Sequence, residues 1–149
     1  MREPFGAACI LYHAPSGRVL LQHRTSDAPE FPDHWGFFGG SGEEEDGDDP
    51  LRALRREIAE ELGLDLDPGA IVSLWDYMTP LGSHRYVHLY PWADLEYPFV
   101  ISEGQGYGWF TIADALATLK LTTNARHDLG LLAEYLAAQA VRADRDTAG

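Results

Sequence analysis

The sequence has almost no cysteine, little positive charge and no long apolar run. Cys9 is the single cysteine in 149 residues. One thiol closes no intramolecular disulfide and supplies no cysteine-based zinc site. It lies in the apolar stretch Gly6-Ala7-Ala8-Cys9-Ile10-Leu11-Tyr12, where a buried, inert thiol is expected. Lysine and arginine number 11 against 24 acids, a formal net charge of −13 with a pI near 4.6. That balance argues against a protein that neutralises a long nucleic-acid backbone or lies on an anionic membrane. Small anionic substrates stay open, because a bound divalent cation inverts the local sign. The apolar segment after Arg2 is too short for a membrane span and lacks a small-residue cleavage pattern. A cytoplasmic protein with no membrane partner is the expectation.

No repeat and no Pro/Gly/Ser linker divides the chain, and its length suits one domain of ~100–200 residues. Hydrophobic residues at 45% and charged residues at 23% are an ordinary globular mixture. Strands are expected at 5–12 and 18–22, joined by a turn at Ala14-Pro15-Ser16-Gly17. Residues 24–34 read as a loop broken by Pro29 and Pro32, and 35–38 as a short strand running into Gly39-Gly40. Residues 50–62 form the clearest helix, with Asp49 as N-cap, Pro50 in the first turn and Gly63 as the left-handed stop. Its Leu51, Leu54, Ile58 and Leu62 make one apolar stripe. Strands at 71–79, 85–93 and 107–110 follow, then helices at 112–119, with Thr111 and Asp114 spaced like a capping box, and at 125–140. The order predicts a layered α/β (α+β) domain over residues 1–142, with a polar, frayed tail at 143–149.

The acidity is concentrated. Residues 43–61 hold nine acids and three arginines, a local net charge of −6. Glu57, Glu60 and Glu61 stand at i, i+3 and i+4 and fall within about 100° of arc beside the apolar stripe. Like charges at those spacings repel by a few tenths of a kcal/mol per pair. In isolation such a cluster is a solvated helix face, with Arg52, Arg55 and Arg56 as surface partners. A hard divalent cation is the other way to offset the repulsion, since Mg²⁺ takes a few carboxylates with waters and phosphates.

The pattern around the cluster is more specific. Gly42, five residues, Asp48, seven residues, then Arg56-Glu57-Ile58-Ala59-Glu60-Glu61-Leu62-Gly63-Leu64 resembles the Nudix box. Every fixed position matches except that Asp48 stands where the family has Glu. The resemblance implies a mixed β-sheet sandwiched between helices, fitting the elements from about Phe5 to Leu136. It implies Mg²⁺ or Mn²⁺ as cofactor and hydrolysis of a nucleoside diphosphate linked to another group, by water attack on phosphorus. Glu57, Glu60 and Glu61 match the metal-binding carboxylates, with Asp48 and the Gly40 carbonyl as further expected ligands. Arg56 matches an arginine that orients the glutamates. Gly39-Gly40 is separated from Gly47-Asp48 by six residues where many members have four. Either the loop is two residues longer or Gly42 takes the first glycine's place.

Three further segments look like the MutT-type nucleotide-triphosphate hydrolases. Arg24, after the second strand, resembles a nucleotide-contacting arginine. Glu103-Gly104-Gln105 resembles an acidic turn whose glutamate assists the metal or acts as base; its bland counterpart is an exposed turn. Asn124 resembles an asparagine that reads a purine edge, although the N-cap of the last helix is its simpler role. Trp35, Phe37, Tyr77, Tyr86, Tyr90 and Trp92 are expected to pack in the core or on a sheet face. His84 and His88 lie on a strand-like segment with no cysteine nearby, which argues against zinc. An EF-hand fails on Gly42 and Ala53, and a nucleophile elbow fails on Glu43.

The implied substrate is a small-molecule nucleotide, most plainly a nucleoside triphosphate with an oxidised purine among the candidates, cleaved to monophosphate and pyrophosphate. Nucleotide sugars, dinucleoside polyphosphates and a binding module without catalysis are the alternatives. Nudix enzymes are often homodimers, and no patch in the sequence decides that point.

Overall fold

The computed structural model describes residues 3–148. Met1, Arg2 and Gly149, at the ends of the expected domain and tail, lie outside the described residues. Strand β1 (Phe5–His13) is central, paired in parallel along its length with β6 (His84–Pro91). An antiparallel β5 (Val72–Met78) flanks β6. On its other side β1 changes partner. Residues 6–9 pair with β4 (Phe38–Ser41), whereas Tyr12 and His13 pair with β2 (Arg18–His23). β2 also pairs with β3 (Trp35–Gly36) and with the whole of β7 (Gly106–Thr111). The seven-stranded mixed sheet therefore splits beside the middle of β1.

Strand alternation assigns β1 to two cores. Phe5, Ala7, Cys9 and Leu11 pack with Leu20 and Phe38 beneath α1 (Pro50–Leu62). Ile10 packs with Val19, Leu21, Val87 and Leu89 on the opposite face, under α2 (Ile112–Thr118) and α3 (Thr123–Ala148). The mixed sheet between helices is the expected architecture. Burial drives the Cys9 thiol pKa upward, in keeping with an inert core residue.

Helix α1 has the predicted limits because its signals are local. The Asp49 carboxylate accepts from Leu51 N at 3.1 Å, and Gly63 closes the helix at φ 66°. The buried face differs slightly from the expected stripe: Leu51 is exposed, while Ala53 and Glu61 are buried. Three other expectations are corrected. The segment 35–38 breaks at Phe37, because β3 pairs with β2 and β4 with β1. Asn124 is not the N-cap of the last helix; Thr122 Oγ1 accepts from Ala125 N at 3.2 Å instead. The last helix does not end at 140, since α3 continues to Ala148 through an alanine-rich run without Gly or Pro. Among the described residues no helix is long and apolar enough to cross a membrane.

His88 is only 3% exposed, and its Nδ1 donates to Ala8 O at 3.3 Å. Burial holds its pKa below the ordinary 6.5. The unfolded chain therefore binds the proton first, so this contribution to stability is complete above about pH 6.5 and is lost as pH falls through the depressed folded value. Thermal melts between pH 7.5 and 5 are expected to show a falling Tm that His88→Asn flattens.

Candidate active site

The box folds around one guanidinium. Residues Glu44–Asp46 form a single 3-10 turn in which Asp46 Oδ2 accepts from Glu43 N at 2.8 Å. The Asp46 side chain is buried and receives Arg56 Nε at 3.0 and 3.1 Å and Arg56 Nη2 at 2.8 Å. These charged hydrogen bonds hold the Asp46 carboxyl below its ordinary pKa against the opposing effect of burial. Arg56 Nη1 also donates to Glu57 at 3.1 Å and to Glu60 at 3.2 Å, and Nη2 donates to the Ser41 carbonyl at 3.2 Å. Arg56 thus couples the box loop, the edge of β4 and two helix glutamates.

The buried acid against Arg56 is Asp46. Asp48 is exposed and makes no hydrogen bond or ion pair among the described residues. The 3-10 turn between the glycines and the helix carries Asp46 inward and leaves Asp48 outside.

Glu57 and Glu61 meet under the Gly39-Gly40 backbone. The Glu57 side chain is 14% exposed, and Glu61 is more deeply buried. Their carboxyl groups share a hydrogen bond, and the Gly39 backbone donates to Glu61. Burial first, then Glu57 and the more distant charge of Glu103, push Glu61 up to about 9. Two nearly dry carboxyls in contact need a shared proton or a cation between them. Mg²⁺ or Mn²⁺ fits that donor set, since such ions bind one or two carboxylates and complete their shell with water and phosphate. Among the described residues no three acids or histidines form a ready-made cage. Glu60 points outward, with its side chain 58% exposed on Arg56.

Gly40 is a cradle for this pair. A Cβ there would lie 2.6 Å from Glu57 Cδ. At Gly39, with φ +141°, a Cβ would lie 2.1 Å from the Ala7 carbonyl oxygen. Gly39→Ala is therefore expected to destabilise the fold by at least about 1–3 kcal/mol. Gly40→Ala is expected to keep the fold and displace Glu57. Thermal melts of both variants, with a cation titration of the second, check this contrast.

On the other face of the sheet a cavity of about 360 Å³ reaches Gly39 and Gly40 and is lined by Gly6, Ala8, Arg24, Arg85 and Asn124, among others. Gly6, Ala8 and Gly39 leave its floor without bulk. Arg24 and Asn124, far apart in sequence, are thus brought to the same cavity. Arg24 Nε donates to Glu30 O at 3.0 Å, and the residue also borders a second opening shared with Glu103. Glu103 is exposed, and its carbonyl accepts from Gln22 Nε2 at 2.9 Å. Gln105 ties that turn to the Arg24 loop, its amide donating to Arg24 O at 2.6 Å and to Asp33 Oδ1 at 3.0 Å.

The NUDIX domain family matches residues 3–133. The chain is a member of the Nudix family. Solved structures agree on the fold. The MutT NUDIX hydrolase of Burkholderia pseudomallei is 26% identical, with 87% of this chain and 98% of that chain covered at a TM-score of 0.62. The NUDIX domain of Shewanella oneidensis NrtR, solved with ADP ribose, is 20% identical, with 91% and 90% covered and a TM-score of 0.71. The E. coli dihydroneopterin triphosphate pyrophosphohydrolase is 22% identical, with 84% and 91% covered and a TM-score of 0.61. No curated protein matches by sequence.

In this Nudix domain, sequence reasoning missed three groups. Asp46 had a usable signal, the capping-box spacing from Glu43. Gln105 was visible only as part of a turn. Asp128 is a charged residue among the apolar positions Ala125, Leu129 and Leu132 of α3, which marks it as buried and partnered.

Proposed function

We propose that this Nudix domain is a divalent-cation-dependent pyrophosphohydrolase that cleaves a nucleoside triphosphate to the monophosphate and pyrophosphate. The observation that carries the reading is the pair Glu57–Glu61 beneath a glycine backbone that also lines the 360 Å³ cavity. Acid chemistry and a nucleotide-sized recess share one wall. In the reading, Glu57 and Glu61 hold Mg²⁺ or Mn²⁺, with the Gly40 carbonyl and Glu60 as candidates to complete the set; Asp48 is too far outside to be favoured. The bound cation would polarise the phosphate oxygens and acidify water. Arg56 fixes Glu57 and Glu60 in place, so their orientation is set before substrate arrives. Arg24 supplies positive charge for the phosphates, Asn124 an amide for the base, and Glu103 a carboxylate at the mouth that is suited to accept a proton from the attacking water.

A second reading, nucleotide binding without cleavage, is favoured by the similarity to a NUDIX domain complexed with ADP ribose. One panel tests both: nucleoside triphosphates, nucleotide sugars including ADP ribose, and dinucleoside polyphosphates, each with Mg²⁺ and with Mn²⁺. Release of nucleoside monophosphate and pyrophosphate from a triphosphate is the expected result. Calorimetric binding with no product on the whole panel would replace the hydrolase reading by the binding module.

A further inference from the structure

Gln105 joins the two segments that carry Arg24 and Glu103, yet it is not among the residues lining either opening. The glutamate turn is seated first by its backbone. Gln105 N donates to His23 O at 2.8 Å, beside the last β2–β7 pair, His23 with Gly106. The buried Gln22 donates from Nε2 to Glu103 O at 2.9 Å. Gly104 between them stands at φ +89°, where a Cβ would lie 2.8 Å from His23 O. The turn is thereby pinned to the end of β2.

The Gln105 side chain then crosses to the other segment. Its Nε2 donates to Arg24 O at 2.6 Å and to Asp33 Oδ1 at 3.0 Å. Both partners only accept, so the amide N–H₂ and not its oxygen must face them. Arg24 and Asp33 are near the two ends of one loop: Arg24 N donates to His34 O at 2.8 Å, and Asp33 N to Thr25 O at 3.1 Å. Within it Phe31 stands at φ 48° and Asp33 at φ 61°, a left-handed conformation that a bulky side chain such as Phe31 rarely adopts. A loop with strained residues keeps one shape only where surrounding contacts over-determine it. Gln105 supplies such contacts at both ends at once. The loop carries Arg24, Glu30 and Phe31 to the 360 Å³ cavity. Arg24, Thr25 and Asp27 also line the second opening, together with Ser102 and Glu103. The spacing of Arg24 and Glu103 across that opening therefore depends on the Gln105 link.

Resting on the pyrophosphohydrolase reading, we propose that Gln105 is a positioning residue that fixes the Arg24 loop against the Glu103 turn, so that phosphate binding and proton acceptance share one link. Arg24 meets charge that is present in the bound substrate and in the transition state alike, so its loss raises KM with kcat unchanged. Glu103 takes up a proton only as water attacks, so its loss lowers kcat. A change at Gln105 touches neither reacting group and moves both constants.

The experiment is steady-state kinetics of the full chain with Mn²⁺ and GTP or ATP, whichever wild type cleaves faster. It compares wild type with Gln105→Glu, Asp33→Asn and the double variant. Gln105→Glu keeps the shape, removes the donors and sets a carboxylate against Asp33. It is expected to raise KM and lower kcat together, for a loss in kcat/KM of about 10²-fold, the scale of a misplacement of about 1 Å. Asp33→Asn alone still accepts from Gln105 and is expected to match wild type. In the double variant the new amide at position 33 donates to the new carboxylate at position 105, and about tenfold of the loss is expected to return, the worth of one hydrogen bond to a charged group. Unchanged constants in Gln105→Glu, a shift in only one of them, or a double variant no better than Gln105→Glu overturns the proposal while the hydrolase reading stands. If Gln105→Glu fails to fold in a thermal melt, hydrogen exchange of Gln105→Ala decides: faster exchange in 24–34 and 102–106 together supports the link, and any other pattern overturns it. Failure of wild type to hydrolyse either nucleotide removes the hydrolase reading and the proposed role of Gln105 with it.

Discussion

Glu57→Gln is expected to lower cation-dependent turnover by about 10²–10⁴-fold, the range for a positioned group that handles charge or a proton in the transition state. The same change is expected to leave the fold intact, and to raise the Tm in the absence of cation. Both effects follow from one contact. Glu57 touches the buried Glu61 carboxyl, and that contact contributes to holding Glu61 near 9. An amide at position 57 keeps an oxygen for Arg56 Nη1, which donates to Glu57 at 3.1 Å. It also offers Glu61 a neutral N–H donor in place of a like charge. Stability and activity therefore move in opposite directions, as is common where a site holds groups that repel each other until ligand arrives. A residue serving only solubility would change neither quantity. The measurements are the initial hydrolysis rate across a Mn²⁺ titration and thermal melts with and without the cation. A loss of rate accompanied by a comparable loss of apo stability would make Glu57 structural.

The parts legible in the sequence are those whose determinants lie within a few residues of one another. Asp49, Pro50 and Gly63 bracket α1 to the residue, because capping geometry is local. Helical spacing puts Glu57, Glu60 and Glu61 on one face of α1, and of these Glu57 lies against Gly40 of β4, Glu61 is buried and Glu60 stays exposed on Arg56. Which of them turns inward was not legible. Glu61 is buried and Glu60 exposed although they are adjacent, because the choice depends on where Gly39 and Gly40 of β4 cross the helix. Asn124 satisfies the local signal for a cap, yet Thr122 performs it and Asn124 lines the cavity. Arg85 and Asp128 are 43 residues apart and meet only through the stacking of α3 on β6. The polarity of 142–149 suggests a tail beyond the helix, whereas α3 runs on to Ala148. Polarity decides whether a helix face is wet; it does not end the helix.

The burial of Asp46 against Arg56 carries the largest expected effect on stability. Asp46→Ala is expected to cost about 3 kcal/mol, the low end for breaking a buried ion pair by removing one partner. For a chain of this size that corresponds to a fall in Tm of roughly 6–12 °C. Asp48→Ala is expected to change stability by no more than about 0.5 kcal/mol, as for an exposed side chain without partners. The reason is geometric. The Asp46 side chain is 1% exposed and holds Arg56 by Nε and Nη2 together, while also closing the turn through Glu43 N. Without it, Arg56 keeps the partners on its Nη1 side, the Ser41 carbonyl and the exposed Glu45 3.6 Å from Nε, and it is held less firmly against Glu57 and Glu60. Cation affinity should weaken with stability, because the glutamates lose the group that orients them. The pH dependence has a definite sign. The folded pKa of Asp46 lies below its ordinary 3.8, so its contribution is complete above that value and is lost as pH falls through the depressed one. Acid unfolding of wild type should therefore be steeper below about pH 4 than that of Asp46→Ala, while Asp48→Ala follows wild type. Denaturant melts of the three proteins at pH 7 and across the acid limb test this. Equal sensitivity at positions 46 and 48 would show that the Asp46–Arg56 pair contributes no more to stability than an exposed side chain.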